Sequence, residues 1–549
     1  MLVKINGLFR QIPFVLGGLF LAAASFTPET GISPLFALAA AASLAWGAEE
    51  SSRLKTGFLL FGLVFHGVAF YWLAETVHLF GGFPWMISYA IFALFCLTAS
   101  LQFVLCAWIF ERLRARFSDS LGVALAASWL CADLILPRMF PWAIGHSLVK
   151  ISQVASIAEW TGVPPLSAFV IYLGSLTAFV FLKVLKKDAS GRVGLGDLRL
   201  RLVVGCSSMA IVLVVGAFLN FRANRALEIA NSVRLGLIQG NLDVRQKGDV
   251  RRLDVNLDRY RELSRKAVDE GAEVLFWPET VMIAWTPDRL SSVRDTAYDP
   301  FPESRVPLLY GSLGYAKRDE GELQQLLSAY PEFDTPELRE SLEYFRYNSA
   351  FAIDSNGAVL GRYHKRALMP FGEYLPFSDR YPELKLISPQ TGDFSVGPLS
   401  EPVTIPLEDQ SGKQIRAALL ICYEDLVPAL SREAVQKGAN LLVNLTNDAW
   451  YGDTAAPYQH HLLAQWRAIE SRRYLIRVTN TGYTAVVNSL GRTVADLPLF
   501  EASYLVREVK LMDGETLYST IGDTPAWIIC GLTLLLAFLG KRKSRAVRQ

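Results

Sequence analysis

The chain has 549 residues, which is long enough for two or more domains, and 51% of them are hydrophobic. With an aromatic content of 12% and a mean hydropathy of +0.26, this composition excludes an ordinary soluble enzyme and predicts a membrane protein. The 54 basic residues nearly balance the 52 acidic ones, so the net charge of +2 gives no field that would attract a nucleic acid.

Apolar stretches, each about long enough to cross a bilayer core, occupy both ends of the chain. They run over residues 12–27, 31–48, 57–77, 84–110, 121–137, 165–182, 202–220 and 524–540. The block between the last two stretches is more polar. We therefore predict a polytopic helical domain of seven transmembrane helices over residues 1–220, an extramembrane domain over residues 221–522, and an eighth helix with a basic tail over residues 523–549.

Basic residues are distributed asymmetrically along the membrane part. If the N-terminus is inside, nearly all Lys and Arg lie in the inside loops and the C-terminal tail, whereas the short outside loops hold only Arg138 and Lys150. Lys and Arg in short loops are retained on the cytoplasmic side. Both termini are thus predicted to be cytoplasmic, and residues 221–522 to lie on the outer face, which is the periplasm in a cell with two membranes.

One outer loop, residues 137–146, is rich in aromatic residues and contains Phe140 and Trp142. Tryptophan is common at membrane interfaces for packing and amphipathic reasons, without any contact with substrate. A substrate-facing role is the alternative, and the loop sequence by itself leaves both open.

The polar block alternates short apolar strands with helical segments. Near-continuous apolar strands mixed with helices are typical of a layered α/β fold with buried sheets. Strands are predicted over residues 233–239, 273–277, 307–313, 349–354, 415–421, 440–444, 475–479, 484–488 and 504–508, and helices over 250–270, 427–437 and 457–473. A charged segment between residues 317 and 346 is predicted to be exposed to solvent.

Cys422 ends an apolar strand and is followed by Tyr423, Glu424 and Asp425. The other five cysteines lie within apolar runs, so Cys422 has no partner in the polar block for an intramolecular disulfide. A free cysteine is often a small buried hydrophobe. The abrupt change from apolar to polar residues at this position favours a nucleophile instead.

Two further polar residues follow strands in the same block, Glu279 and Lys365. A thiol needs a base to become a thiolate, which a carboxylate can supply, and an ammonium can stabilise the oxyanion formed when the thiolate adds to a carbonyl. Each residue alone could be a solvated charge. Together with Cys422 they have the complementary chemistry of one acyl-transfer site.

Three short motifs occur in an order that resembles the nitrilase superfamily, whose Glu-Lys-Cys triad hydrolyses or transfers acyl groups: Trp277-Pro278-Glu279, Tyr363-His364-Lys365 and Ile421-Cys422-Tyr423-Glu424. A domain of this kind inserted before a last membrane helix resembles the apolipoprotein N-acyltransferase family over nearly the full chain. Supporting matches are Gln239-Gly240-Asn241, the stretches 369–376, 444–452 and 477–482, and Phe140-Pro141-Trp142.

The resemblance implies a nitrilase-like αββα sandwich and a role for each matched residue. Glu279 would be the general base, Lys365 the oxyanion stabiliser and Cys422 the nucleophile. Residues that would support the site are Glu373, Tyr423 and Glu424, and candidates for substrate binding are Trp450, Phe140 and Trp142. From the residues alone, Glu424 could also be a surface charge after the strand, and Trp450 could be part of the core.

The implied function is transfer of the sn-1 acyl chain of a phospholipid, through a thioester on Cys422, to the α-amine of the diacylglyceryl-cysteine that begins a lipoprotein. The expected donor is phosphatidylethanolamine, and the expected enzyme is a monomer of the bacterial inner membrane without cofactor, metal or nucleic acid. Alternatives are a membrane-anchored amidase or hydrolase with the same triad, and a transporter or scaffold whose nitrilase-like domain is inactive.

Two features depart from the family pattern. Where the family usually has a Lys-Trp pair after Gln239-Gly240-Asn241, this chain has Arg245-Gln246-Lys247-Gly248-Asp249, so an aromatic contact to substrate is in doubt there. The charged segment between residues 317 and 346 is also longer than the family pattern predicts.

Overall fold

The computed structural model describes residues 9–27, 30–116, 121–185, 195–243, 247–329, 339, 342–378, 380–381, 392–407 and 413–539. The chain divides into two compact units. The first comprises Met1–Asn224, Thr454–Glu470 and Thr516–Gln549, and the second comprises Arg225–Asp453 and Ser471–Glu515. The segment Thr454–Glu470 thus joins the helical unit, although the predicted boundaries include it in the polar block. The basic tail after Leu539 lies outside the described residues.

Helices are numbered in chain order. They are α1 (Ile12–Phe26), α2 (Ser33–Glu50), α3 (Leu54–Ala69), α4 (Trp72–Gly81), α5 (Trp85–Arg114), α6 (Leu121–Ile135), α7 (Pro164–Leu185), α8 (Leu195–Ile229), α9 (Leu253–Asp269), α10 (Glu320–Ala329), α11 (Pro428–Gln436), α12 (Ala456–Ser471), α13 (Leu517–Ile521) and α14 (Thr524–Phe538). Every predicted apolar stretch is helical, and so are the three helical segments predicted in the polar block.

Within the described residues, three helices are long and apolar enough to cross a membrane: α5, α7 and α8. A fourth span results if α3 and α4 are taken as one segment bent by 57°. The shorter apolar helices α1, α6 and α14 have 15 residues each. The structure therefore contains a polytopic helical unit, and the full set of eight crossings stays a prediction.

The predicted single stretch over residues 57–77 is wrong in one respect, because the helix breaks between α3 and α4. The break frees backbone groups, which must find partners where water is excluded. Gln459 of α12 provides one such partner, because its side-chain nitrogen donates to the backbone carbonyl oxygen of Ala69 at 3.0 Å. Its side-chain oxygen also accepts from the indole of Trp72, a side chain next to the break, at 3.1 Å. A polar side chain within the first unit thus stabilises the bend.

Small residues allow the helices of the first unit to pack closely, as is common where helix association depends on contact rather than on water exclusion. Gly174 of α7 lies against α2, and a Cβ at this position would overlap Ala41 and the backbone nitrogen of Ala42. Gly18 of α1 lies similarly against the carbonyl oxygen of Phe61 in α3. The Ala-rich sequence of α2 has the same effect.

The second unit contains two sheets. Its strands are β1 (Ser232–Gln239), β2 (Val274–Phe276), β3 (Met282–Pro287), β4 (Leu308–Lys317), β5 (Tyr344–Ile353), β6 (Val359–His364), β7 (Val403–Pro406), β8 (Gln414–Ile421), β9 (Leu441–Thr446), β10 (Leu475–Thr479), β11 (Ala485–Val487), β12 (Thr493–Asp496) and β13 (Ser503–Lys510). The first sheet has the order β13-β1-β2-β4-β5-β6, with β3 on β4, and the second has the order β12-β11-β10-β9-β8-β7.

Each sheet has a parallel centre and antiparallel edges. In the first sheet β1, β2 and β4 run parallel, and in the second β8, β9 and β10 do. Parallel strands are buried on both faces, which explains their apolar sequences. Side chains from both sheets form one core, with Leu237, Phe276 and Leu309 from the first and Leu419 and Val443 from the second.

Helix α9 covers the outer face of the first sheet. Its residues Leu257, Tyr260 and Leu263 pack against Trp277 and Phe351. On the second sheet, α11 follows β8 and packs beside it. The layered α/β sandwich predicted from the sequence is thereby confirmed.

The predicted strands are confirmed, but several are longer or were missed. Strands β4 and β5 pair along their full length, from Leu308 with Ile353 to Lys317 with Tyr344, and so extend into the charged segment. Helix α10 in that segment buries Leu323 and Leu327, so the segment is not wholly exposed. Residues 330–338, 340 and 341 lie outside the described residues. The short strands β3, β7 and β12 and the strand β6 were not predicted.

We predict that Gly174→Ala lowers the thermal unfolding midpoint of the detergent-solubilised protein. The added Cβ has no space against α2, and overpacking of this kind costs about 1–3 kcal/mol. The matched control is Gly531→Ala in α14, where a Cβ would meet no atom within 4 Å and alanine improves helix propensity by roughly 0.5–1 kcal/mol. Equal midpoints for the two variants would contradict the close packing of α7 on α2.

Candidate active site

Three strand ends of the second unit hold the predicted triad. Glu279 lies on the loop after β2, Lys365 directly follows β6, and Cys422 directly follows β8. The first two strands belong to one sheet and β8 to the other. Because the two sheets pack face to face, residues far apart in the sequence come together.

The Lys365 ammonium is the charged centre of this cluster. It lies 2.8 Å from the Glu373 carboxylate and 3.7 Å from Glu279 Oε1. Lys365 is only 1% exposed and Glu279 only 7% exposed. Glu373 also accepts from the backbone N–H of Met369 at 2.8 Å. The structure therefore brings the predicted base and the predicted oxyanion stabiliser, both buried, into one network with the predicted supporting carboxylate, which is partly exposed.

Asn348 joins the two carboxylates and was missed from the sequence. Its side-chain nitrogen donates to Glu279 Oε1 at 2.7 Å and to Glu373 Oε1 at 2.8 Å. The backbone carbonyl oxygen of Asn348 accepts from the backbone N–H of Lys365 at 2.8 Å, which continues the pairing of β5 with β6. The one signal in the sequence was a polar residue directly before a predicted apolar strand.

Cys422 has a backbone conformation that few residues adopt. Its φ of 52° lies in the left-handed region, which costs a residue with a side chain about 1–2 kcal/mol. The carbonyl oxygen of Cys422 accepts from the Asn444 side chain at 2.9 Å. This turn ends β8 abruptly and is held by the neighbouring strand β9. Strain of this kind is concentrated at functional sites.

Burial and the nearby Glu279 charge raise the pKa of the Cys422 thiol, while Lys365 and a hydrogen bond with Thr446 act in the opposite direction. The resting thiol is thus protonated at neutral pH and needs a base. Burial also raises the pKa of Glu279, against the opposing effects of Lys365, Lys247 and Asn348. A carboxylate with a raised pKa is better suited to accept a proton than an ordinary one.

Burial by itself would lower the pKa of Lys365. Glu373, Cys422 and Glu279 outweigh it, so the net pKa of the ammonium is raised. Lys365 is consequently a stable cation at neutral pH. A fixed positive charge beside a thiol can stabilise negative charge that develops during reaction.

Glu424 is fully buried, so the interpretation of it as a surface charge is wrong. Its carboxylate accepts from the backbone N–H groups of Ile421 at 2.8 Å, Arg366 at 2.6 Å and Ala367 at 2.9 Å, and from the Tyr363 hydroxyl at 2.9 Å. Burial raises the pKa of Glu424 to about 7, against the effect of these backbone donors. The residue therefore ties the end of β8 to the loop that begins at Lys365.

Trp450 lies in a single helical turn, Asp448–Tyr451, that follows β9. It is 41% exposed, so the alternative that it is part of the core is wrong. Its neighbour Tyr451 has a pKa raised well above the usual range by burial, with Cys422 among the charges that act on it. The turn thus borders the site, and Tyr423, next to the thiol, is half-buried.

Comparison with known proteins gives two family matches. The carbon-nitrogen hydrolase family matches residues 234–517, and the apolipoprotein N-acyltransferase N-terminal domain matches residues 17–176. A relative named apolipoprotein N-acyltransferase from Geobacter metallireducens is 32% identical over 539 residues, which cover 96% of this chain and 95% of the relative.

The chain belongs to the apolipoprotein N-acyltransferase family. Two further relatives carry the same name. The one from Bdellovibrio bacteriovorus is 30% identical over 474 residues, covering 82% of this chain and 80% of its own. The one from Shewanella oneidensis is 28% identical over 559 residues, covering 99% of this chain and 98% of its own. The family resemblance inferred from the motifs is confirmed, and with it the nitrilase-like fold of the second unit.

Phe140 and Trp142, the membrane-side motif of the family resemblance, lie in the first unit. Trp142 is 4% exposed and packs on Phe65, with ring centroids 5.4 Å apart. Phe140 packs on Phe70 at 5.7 Å and on Trp72 at 5.2 Å. Both residues are therefore packing residues of an aromatic cluster, and their contact with substrate stays a prediction.

The departure from the family pattern after Asn241 has a structural counterpart. Lys247 is buried, whereas Gly248 is exposed. Residues 244–246 lie outside the described residues. Among the residues that the structure describes, no group of three His, Cys, Asp or Glu side chains could hold a metal ion.

A buried ion network lies close to Cys422 in the sequence and involves β10. The Arg477 guanidinium of β10 lies 2.6 Å from Asp425, three residues after Cys422, and 3.3 Å from Asp448. All three side chains are fully buried. Arg477 therefore connects the turn after Cys422 with the turn that contains Trp450. The sequence placed Arg477 in a matched motif without giving it a role.

Replacing Arg477 by methionine should lower the free energy of unfolding by about 3–5 kcal/mol, because two buried carboxylates then lose their guanidinium. The measurement is a urea titration of the solubilised protein. The matched control is Arg251→Met, which removes a side chain that is 90% exposed and paired with Asp249, and should leave the midpoint unchanged. Similar midpoints for both variants would mean that the buried ion pairs contribute little.

Proposed function

We propose that the protein is a phospholipid:apolipoprotein N-acyltransferase. The observation that carries this proposal is the cluster of the buried Glu279 and Lys365 with the half-buried Cys422, in a chain of this family. A thiol, a carboxylate with a raised pKa and a fixed ammonium provide a nucleophile, a base and an oxyanion stabiliser. The substrates would be a phospholipid and a lipoprotein.

In the first half-reaction the thiol proton passes to Glu279 and the Cys422 sulfur adds to the sn-1 ester carbonyl. The oxyanion is stabilised by the Lys365 ammonium and by the backbone N–H of Tyr423. When the tetrahedral intermediate collapses, the carbon–oxygen ester bond breaks and the leaving alkoxide takes the proton from Glu279. A lysophospholipid leaves, and the acyl chain remains on Cys422 as a thioester.

In the second half-reaction the α-amine of the lipoprotein diacylglyceryl-cysteine attacks the thioester, and Glu279 accepts a proton from the amine. The carbon–sulfur bond then breaks and the proton returns to the sulfur, which restores the thiol. Water competes with the amine in this step. The burial of Glu279 and Lys365 beside the thioester limits the access of water and so reduces that competition.

Exposed aromatic side chains of the second unit supply a surface for lipid chains. Phe371 is 60% exposed and Phe377 75% exposed, both in the segment that carries Glu373. With Trp450 they are the residues that we expect to contact the acyl chains.

The remaining details of the proposal follow from the sequence. Eight transmembrane helices hold the protein in the bacterial inner membrane, with both termini cytoplasmic and residues 221–522 in the periplasm. The donor is phosphatidylethanolamine, and the enzyme acts as a monomer without a cofactor. Phe140 and Trp142 are proposed to act from the membrane side.

The proposal is tested by intact mass spectrometry after incubation with a phospholipid of defined acyl chains and no acceptor. Wild type should gain one acyl mass that hydroxylamine releases, and Cys422→Ala should gain none. The matched control is Cys206→Ser, which removes an exposed thiol of α8 and should be acylated like wild type. Steady release of free fatty acid without an adduct would instead support the membrane-anchored hydrolase, and acylation of Cys422→Ala would refute the nucleophile.

Lys365→Met should abolish accumulation of the thioester, because the oxyanion then loses its cation and the carboxylates of Glu279 and Glu373 lose their partner. We expect a decrease of about 100-fold or more in the acylation rate, the range found when one oxyanion donor is removed. The exposed Lys266, paired with Glu262, gives the matched control Lys266→Met. Normal acylation of Lys365→Met would refute the assigned role.

A further inference from the structure

A second lysine lies in the same buried cluster. Lys247 is only 5% exposed, and its ammonium donates to the backbone carbonyl oxygen of Glu279 at 2.6 Å. Its backbone N–H donates to the carbonyl oxygen of Asp243 at 2.8 Å. Neither the motifs nor the triad assigns Lys247 a role. A long basic side chain is rarely buried unless it is paired, so its position calls for a partner of opposite charge.

Charge balance provides the reason for this burial. The cluster contains two carboxylates, Glu279 and Glu373, and one of its ammonium groups, Lys365, lies within 4 Å of both. Without a second cation the cluster would carry a net negative charge beside the thiol. With Lys247 it is neutral, and it stays neutral when the Cys422 proton moves to Glu279. In a buried site, forming a thiolate next to an excess negative charge would be strongly unfavourable.

We propose that Lys247 is a positioning residue for acyl transfer, which fixes the Glu279 loop through its carbonyl oxygen and supplies the positive charge that makes the Cys422 thiolate accessible. This inference rests on the proposed role of Cys422 as nucleophile. Lys247 need not touch the substrate. It acts through Glu279 and through the electric field at the sulfur.

The electrostatics of Lys247 give the proposal a pH dependence. Burial lowers the pKa of Lys247 to about 8, while Glu279, on the loop after β2, and Cys422, after β8, act in the opposite direction. The ammonium is therefore present below about pH 8 and is lost as the pH rises above that value. The electrostatic stabilisation of the Cys422 thiolate by Lys247 must therefore decrease as the pH rises above about 8.

The experiment measures alkylation of Cys422 by iodoacetamide between pH 6 and 10, with the modified peptide quantified by mass spectrometry. Wild type is compared with Lys247→Met, Lys247→Arg and the surface control Lys266→Met. At pH 7, Lys247→Met should react at least about tenfold more slowly, since a neighbouring charge shifts a pKa by roughly 1 to 3 units and each unit changes the thiolate fraction about tenfold. Lys247→Arg and Lys266→Met should react at nearly the wild-type rate.

The pH profile separates this role from a purely structural one. The wild-type rate should rise less steeply above about pH 8, where Lys247 loses its charge, whereas Lys247→Arg should keep the steeper slope because arginine stays charged. The comparison of wild type with Lys247→Arg tests the role of the Lys247 charge even if Lys247→Met fails to fold. Equal profiles for wild type and Lys247→Met, or equally slow reaction of both Lys247 variants at every pH, would overturn the proposal.

Alkylation needs neither phospholipid nor lipoprotein, so failure of this inference is distinguishable from failure of the proposed function. Suppose that wild type forms the phospholipid adduct while Lys247→Met has the wild-type alkylation profile. The acyltransferase function would then be supported, and the positioning role of Lys247 would be refuted. A changed alkylation profile in Lys247→Met without any phospholipid adduct on wild type would support the role of Lys247 and refute phospholipid as the acyl donor.

Discussion

The burial of one ammonium group, that of Lys365, is the constraint on which the site depends. A charged group removed from water costs several kcal/mol unless it is paired and hydrogen-bonded. Glu279 and Glu373 supply the opposite charge, and Asn348 holds both carboxylates. The arrangement is rigid because Lys365 and Asn348 also share a backbone hydrogen bond at the end of two paired strands.

A second constraint connects the two sheets of the sandwich. Cys422 ends a strand of one sheet and Lys365 ends a strand of the other, so the distance between thiol and ammonium depends on how those ends are joined. The buried carboxylate of Glu424 accepts from backbone donors on both sides. Geometry of this kind is more precise than packing alone, because each hydrogen bond has a defined direction and length. Glu424, two residues after Cys422, thus fixes the relative position of the two strand ends.

Much of the fold followed from the sequence because the buried parallel strands are short apolar runs with clear limits. The same property pointed to Glu279 and Cys422, which stand where an apolar run ends, whereas Lys365 was found through the motif Tyr363-His364-Lys365 because the strand before it was not predicted. Asn348 could not be found in this way, because an uncharged amide beside a strand resembles many others. The bend between α3 and α4 was equally invisible, since neither Pro nor Gly occurs at residues 70 and 71 and the polar partner is distant in sequence.

Lys247 shows a different limit. In sequence it is one of several polar residues in a loop, where a lysine is normally solvated. Only the fold shows that its ammonium is buried against Glu279. Charge balance within a buried cluster depends on several chain segments together, so it cannot be predicted from the sequence of any one of them.

The bend of the helix pair α3 and α4 affects how the protein is made. The Ala69 carbonyl oxygen and the Trp72 indole receive their partner from Gln459, which is 390 and 387 residues later in the chain. During synthesis, the early helices therefore exist for a long interval without the group that stabilises the bend. The first unit can reach its final form only after the strands up to β9 have emerged, so membrane insertion and completion of the helical unit are separate events in time.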